Sequence, residues 1–240
     1  MNRTWGGADY YLAKVGGLWD ALLGEGRRFW IILNSDFHVN SADFWPGEYP
    51  KTWVTVTDTG ASAWLDGVRS GEMFIVHGDL IDHLEFSFDD GLHCVSTGGE
   101  LHTRSTRIFC EIRFKTPKIN RHADSPKVDH IDLISGRITG FVDPYEQTAY
   151  QFPENPSTKV IERYTRKNWS MEGEWMVVRD TIACSGPSYF RLRGTNLAPG
   201  TAGETDEEGN PLVDPDNRNT EAIAWEDLWF YSNPVFVYPR

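Results

Sequence analysis

Residues 29–33, FWIIL, form an unbroken apolar run that stops at the polar Asn34. A run of this kind predicts a strand buried on both faces. Upstream, GLWDALLGEG places Leu18, Ala21 and Leu22 at helical spacing, with Gly24 and Gly26 as a stop. Downstream, TWVTVT (52–57) is β-branched and strand-like. DTGASAWLDGVRSG then offers Asp58 or Thr59 as a helix N-cap, an apolar face of Ala61, Trp64, Leu65 and Val68, and Gly71 as terminator. MFIVH (73–77) is a further short strand. Strand, helix and strand with short links predict a parallel β-α unit in this first part of the chain.

From about Leu84 the pattern changes. TRIFCEIRF alternates, with Ile108, Cys110, Ile112 and Phe114 on one face and Arg107, Glu111 and Arg113 on the other. DHIDLISG, KVIERYTRKNW, EWMVVRDTIAC, SYFRLRG and DLWFYSNPVFVYPR follow as strand candidates, separated by Gly, Pro, Asn and Ser. No convincing helical periodicity occurs after residue 80. Short strands punctuated by turn residues predict an antiparallel β-sandwich. The stretch 199–220, acidic and rich in Gly and Pro, reads as a long exposed loop; its DPDN lacks the glycine and distal glutamate of a calcium loop.

The expected architecture is therefore α+β. A partial α/β segment spans 1–83, and an antiparallel β-sandwich spans 84–240.

Composition narrows the function classes. With 23 basic against 35 acidic residues the net charge is −12, which argues against nonspecific nucleic-acid binding. Three cysteines (Cys94, Cys110 and Cys184) without C-x-x-C spacing argue against a disulfide framework and a structural zinc finger and leave room for one disulfide at most. Neither a membrane-spanning stretch nor the apolar core of a signal peptide is found, so a soluble chain without membrane contact is expected, with the compartment undetermined. There is no G-x-S-x-G elbow and no phosphate-cradling glycine loop. Trp169, Trp175, Trp225 and Trp229 are either a carbohydrate platform or, as strand aromatics generally are, core.

Candidate chemistry sits just beyond FWIIL, in the segment NSDFH. Asp36 and His38, two residues apart in an extended run, project to one side. Carboxylate plus imidazole suits zinc, manganese or iron. The same pair also suits a polar cap where a strand meets solvent. Glu48, in PGEYP, is either a pocket carboxylate or an exposed turn residue. His77, Asp79, Asp82 and His83 form a second cluster in VHGDLIDH, better read as a linker into the sandwich.

Three stretches carry a family resemblance: KVGGLWDALLGEGRRFWIILNSDFH, DFWPGEYPKTWVTV and GVRSGEMFIVHGDLI. Together they resemble the C-terminal end of a PHP-type (polymerase and histidinol phosphatase) metal-dependent phosphoesterase. In that family a W-D-x-L-L-x-x-G-R helix precedes a strand ending in S-D-x-H. A segment like A-L-R-x-G-R-x-F-V-x-x-G-P-L-I closes the domain, and a C-terminal sandwich often ends in Y-S-N-P-I-Y-V, here FYSNPVFVY. The resemblance is close over 14–83 and 226–238 and loose between them.

The resemblance implies an irregular α/β barrel with two or three metals, whose metal-bound hydroxide attacks a phosphoester or a related bond. It implies that Asp36 and His38 are metal ligands, with Asn34 and Ser35 in support. The chain departs from the family pattern upstream, because only 35 residues precede Asp36 and none is histidine. A catalytic zinc needs about three protein ligands, so the chain by itself is expected not to be a competent hydrolase. Self-association, or pairing with a missing N-terminal barrel half, is expected in consequence. The alternative from another class is a non-catalytic binding or assembly module whose sandwich recognises glycan or protein.

Overall fold

The computed structural model describes residues 4–34, 50–120, 123–147, 149, 151, 153–213 and 227–240. Two short helices open the chain, α1 (Tyr10–Ala13) and α2 (Leu18–Gly24). Strand β1 (Lys51–Val54), helix α3 (Ala61–Ser70) and strand β2 (Met73–His77) follow. Eleven more strands complete the described elements: β3 (His83–Asp89), β4 (Cys94–Ser96), β5 (Glu100–Thr103), β6 (Arg107–Lys115), β7 (His130–Arg137), β8 (Lys159–Thr165), β9 (Trp169–Glu172), β10 (Trp175–Ala183), β11 (Ser188–Thr195), β12 (Trp229–Ser232) and β13 (Val235–Pro239).

The strands form two sheets, antiparallel except for β13 beside β5. The larger runs β1-β2-β12-β11-β13-β5, with β7 and β8 added along the far side of β11. The smaller runs β4-β3-β6-β10-β9. Among the described residues the sheets stay open and close no barrel.

The main core lies between the sheets. Ile108, Cys110, Ile112 and Phe114 from β6 all point into it, as their alternation predicts. Val76, Phe190, Leu192 and Phe230 meet them from the larger sheet. A second core covers that sheet's outer face, where Ile75, Tyr189, Trp229, Tyr231 and Phe236 pack against Ala8, Leu12, Trp19, Leu23 and Ile31. The N-terminal helices thus form a lid over a sheet whose central strand, β11, is buried on both faces.

The parallel β-α unit expected before residue 80 is corrected. β1 and β2 pair antiparallel, Val54 opposite Met73, and Thr55 N–H donates to Glu72 O at 3.0 Å. Helix α3 is therefore an excursion inside a hairpin turn. Gly71, at φ +77°, ends the helix in the left-handed region and returns the chain at once to β2. β1 and β2 also belong to the same sheet as β12 and β11, so residue 83 does not divide the sheets. In place of an expected barrel remnant, the described architecture is a mostly-β sandwich with helices on one outer face. Cys94, Cys110 and Cys184 are all free thiols.

Candidate functional site

The segment leading to Asp36 and His38 is not a sheet strand. Residues 27–34 run as an irregular strap across the outer face. Ile31 is buried, whereas Phe29 and Ile32 are exposed. An apolar run alone cannot separate these arrangements, because it does not say whether the backbone finds a ladder partner.

Side chains rather than a ladder hold the strap. Ile31 N–H donates to Asn233 Oδ1 at 2.8 Å. Leu33 N–H donates to Thr52 Oγ1 at 2.8 Å, and that hydroxyl donates back to Leu33 O at 3.0 Å. Phe29 O accepts from Trp19 Nε1 at 2.9 Å. Trp30 Nε1 donates to Arg69 O at 3.0 Å, its ring standing over Gly71, where a Cβ would lie 2.5 Å from it. Asn233 itself is fully buried, and the hydroxyl of its neighbour Ser232 accepts from Leu192 N–H at 2.9 Å. The YSNP corner thus fixes both the central strand and the strap.

Ser35, Asp36, His38 and Glu48 lie outside the described residues. Asn34, the last described residue of the strap, is exposed. His77 ends β2, opposite Trp229 in register. Its Nδ1 is buried behind the N-terminal turn, where a Cβ on Gly7 (φ +67°) would fall 1.9 Å from His77 Cγ. Burial pushes the imidazole down to about 4, so it is neutral near pH 7.

The rest of VHGDLIDH disperses. Asp79 pairs with Lys51 at 2.5 Å, and His83 Nδ1 sits 2.8 Å from the Asp82 carboxylate on the exposed side of β3. Among the described residues no three His, Cys, Asp or Glu side chains gather to hold a metal.

No family model, curated protein or solved structure matches the chain. Among the described residues no helix is long and apolar enough to cross a membrane.

The aromatic candidates sort differently. Trp229 is fully buried, and Trp169 packs edge-on against Phe114. Trp175 lies beneath Arg113 and Lys115, 4.9 and 4.5 Å from its ring centre. Trp225 is outside the described residues.

Sequence reading missed two buried charge clusters on the outer face of the larger sheet. Arg191 grips Asp20, which also accepts from Gly16 N–H and the Tyr189 hydroxyl. Asp132 receives both Arg163 and Arg193 at 2.6 and 2.7 Å; burial would raise its carboxyl, yet the two guanidiniums hold it below the ordinary carboxylate range. The signal available was Arg at alternate positions of SYFRLRG, on the face opposite Phe190 and Leu192.

Proposed function

We propose that this chain is the C-terminal portion of a metal-dependent hydrolase resembling the PHP phosphoesterases. In this reading the sandwich is a scaffold that presents the Asp36–His38 segment, and the chain lacks the further ligands for catalysis on its own. The observation that carries it is the bond from Ile31 N–H to Asn233 Oδ1. It joins, across 202 residues, the two stretches on which the resemblance is closest.

Partners belong to the same proposal. Self-association, or docking of a missing barrel half, is supported by the face of α3, whose Trp64, Leu65 and Val68 stand exposed.

The test is metal stoichiometry by elemental analysis, on chain purified without chelator and supplied with zinc or manganese. Near-stoichiometric metal, lost in the Asp36→Ala/His38→Ala double variant, is expected. Equal metal content in the two proteins would sink the proposal.

A second reading, the non-catalytic binding module, is favoured by a different observation. Trp53 on β1 is exposed and lies nearly parallel to its cross-strand partner Phe74.

A further inference from the structure

A cleft of about 340 Å³ opens beside this aromatic pair, between the β1–β2 end of the larger sheet and the β3–β4 edge of the smaller. That volume is within the range of small-ligand sites. Phe74 and Leu84 give it apolar groups, and Thr55, Glu72 and Ser96 give it polar groups. Ser96 Oγ donates to Glu72 Oε1 at 3.3 Å, and Thr55 N–H is bonded to Glu72 O. Glu85 also borders the cleft, but its carboxylate is directed to Arg113, 3.5 Å away on the solvent face of β3.

Trp53 is 40% exposed, with its ring 6.1 Å from that of Phe74 and tilted by only 9°. One exposed tryptophan needs no ligand to explain it. Here, however, the ring continues into Phe74, which lines a cleft carrying a carboxylate and several hydroxyls. Aromatic faces take the C–H faces of a pyranose, while carboxylate and hydroxyl oxygens take its O–H groups. Among the described residues lining the cleft, none is Lys, Arg or His. With Glu72 inside and a chain charge of −12, a phosphorylated or sulfated ligand would meet repulsion.

We infer that the Trp53–Phe74 pair and the Glu72–Ser96 cleft form a binding site for a neutral saccharide. This rests on the second reading above and is independent of metal chemistry. The pyranose lies against Trp53, one or two of its hydroxyls donate to Glu72, and the saccharide continues past the start of β3, which β4 pairs only at Ser87, Phe88 and Asp89.

The test uses an array of neutral hexasaccharides (β-1,4-glucan, β-1,4-xylan, β-1,4-mannan, α-1,4-glucan) with sulfated heparin hexasaccharides as the charged arm. Titration calorimetry of the best ligand follows, on the intact chain and on variants checked for folding by circular dichroism. Binding to at least one neutral glycan is expected, with none to the sulfated arm. Trp53→Ala and, separately, Glu72→Gln should each weaken it at least tenfold, and Trp175→Ala on the other sheet should leave it unchanged. Loss of Trp53 or Glu72 without effect would move binding elsewhere and overturn the site, while leaving the module reading in place. Preference for the sulfated arm would overturn the ligand class. No binding to any glycan would remove both the site and glycan recognition.

Discussion

Asp20 on α2 and Arg191 on β11 meet across 171 residues through two hydrogen bonds of 2.8 and 2.7 Å, and neither side chain reaches solvent. The guanidinium also lies 4.8 Å from the ring centre of Trp19, so helix α2 is clamped to the central strand by charge and by stacking. Breaking a buried pair leaves the surviving ion uncompensated. Asp20→Ala is therefore expected to lower stability by about 3–5 kcal/mol. Urea denaturation checks this, and a loss below about 1 kcal/mol would mean that water reaches Arg191 freely. The Asp20→Ala/Arg191→Met double variant should lose less than the single one, because no lone charge remains.

The strap has a different weakness. Asn233→Ala removes the acceptor of Ile31 N–H without touching the sheet ladder. A cost of about 1–3 kcal/mol is expected for the donor left unsatisfied. Hydrogen exchange should speed up at Ile31 and its neighbours while β6 and β10 keep their protection. Uniform protection in the variant would show that Thr52 alone suffices to hold the strap.

Acid should destabilise the fold through His77. Its imidazole titrates at about 4 in the folded chain against an ordinary 6.5, because burial disfavours the cation. Between those values the unfolded chain binds a proton that the folded one refuses, so stability present above pH 6.5 is lost as pH falls towards 4. The loss is on the order of 2–3 kcal/mol. His130, lowered chiefly by burial, acts in the same direction. Denaturation midpoints at pH 7 and pH 5 measure the effect, and His77→Gln should shrink the difference between them. An unchanged difference would place the acid-sensitive group elsewhere.

Gly7 offers a linked test. A Cβ there would meet the imidazole at 1.9 Å, and φ is +67°, so Gly7→Ala is disfavoured twice over. The N-terminal turn is expected to lift off, costing roughly 2 kcal/mol or more. Water would then reach His77. An NMR titration should show its midpoint rising from about 4 back towards 6.5. A midpoint that stays low would show that other residues bury the ring.

Alternation made much of the sandwich legible. Ile108, Cys110, Ile112 and Phe114 needed no tertiary information to be placed on one buried face. MFIVH, flanked by Gly71 and Gly78, became β2 with the expected bounds. The failures share a cause. FWIIL has the composition of a central strand, but its backbone is satisfied by Asn233 and Thr52 side chains that no local pattern announces. Arg191 and Arg193 carried no visible pairing because their partners, Asp20 and Asp132, are remote in sequence. For the same reason the direction of β1 relative to β2 was misjudged: a helix between two strands is compatible with either direction when the strand ends lie side by side. Of the candidate site, the Asp36–His38 spacing was visible at once. The anchoring of its approach became visible only once residue 233 was placed.

That anchoring also sets an order of events during synthesis. Ile31 is added to the chain 202 residues before its acceptor Asn233. Until β12 and β13 dock, the strap has no buried amide to hold it, and long-range closures of this kind form late. The strap is therefore made early and set late. A nascent chain that stalls before the final hairpin would carry the strap with the Ile31 N–H still lacking its Asn233 acceptor.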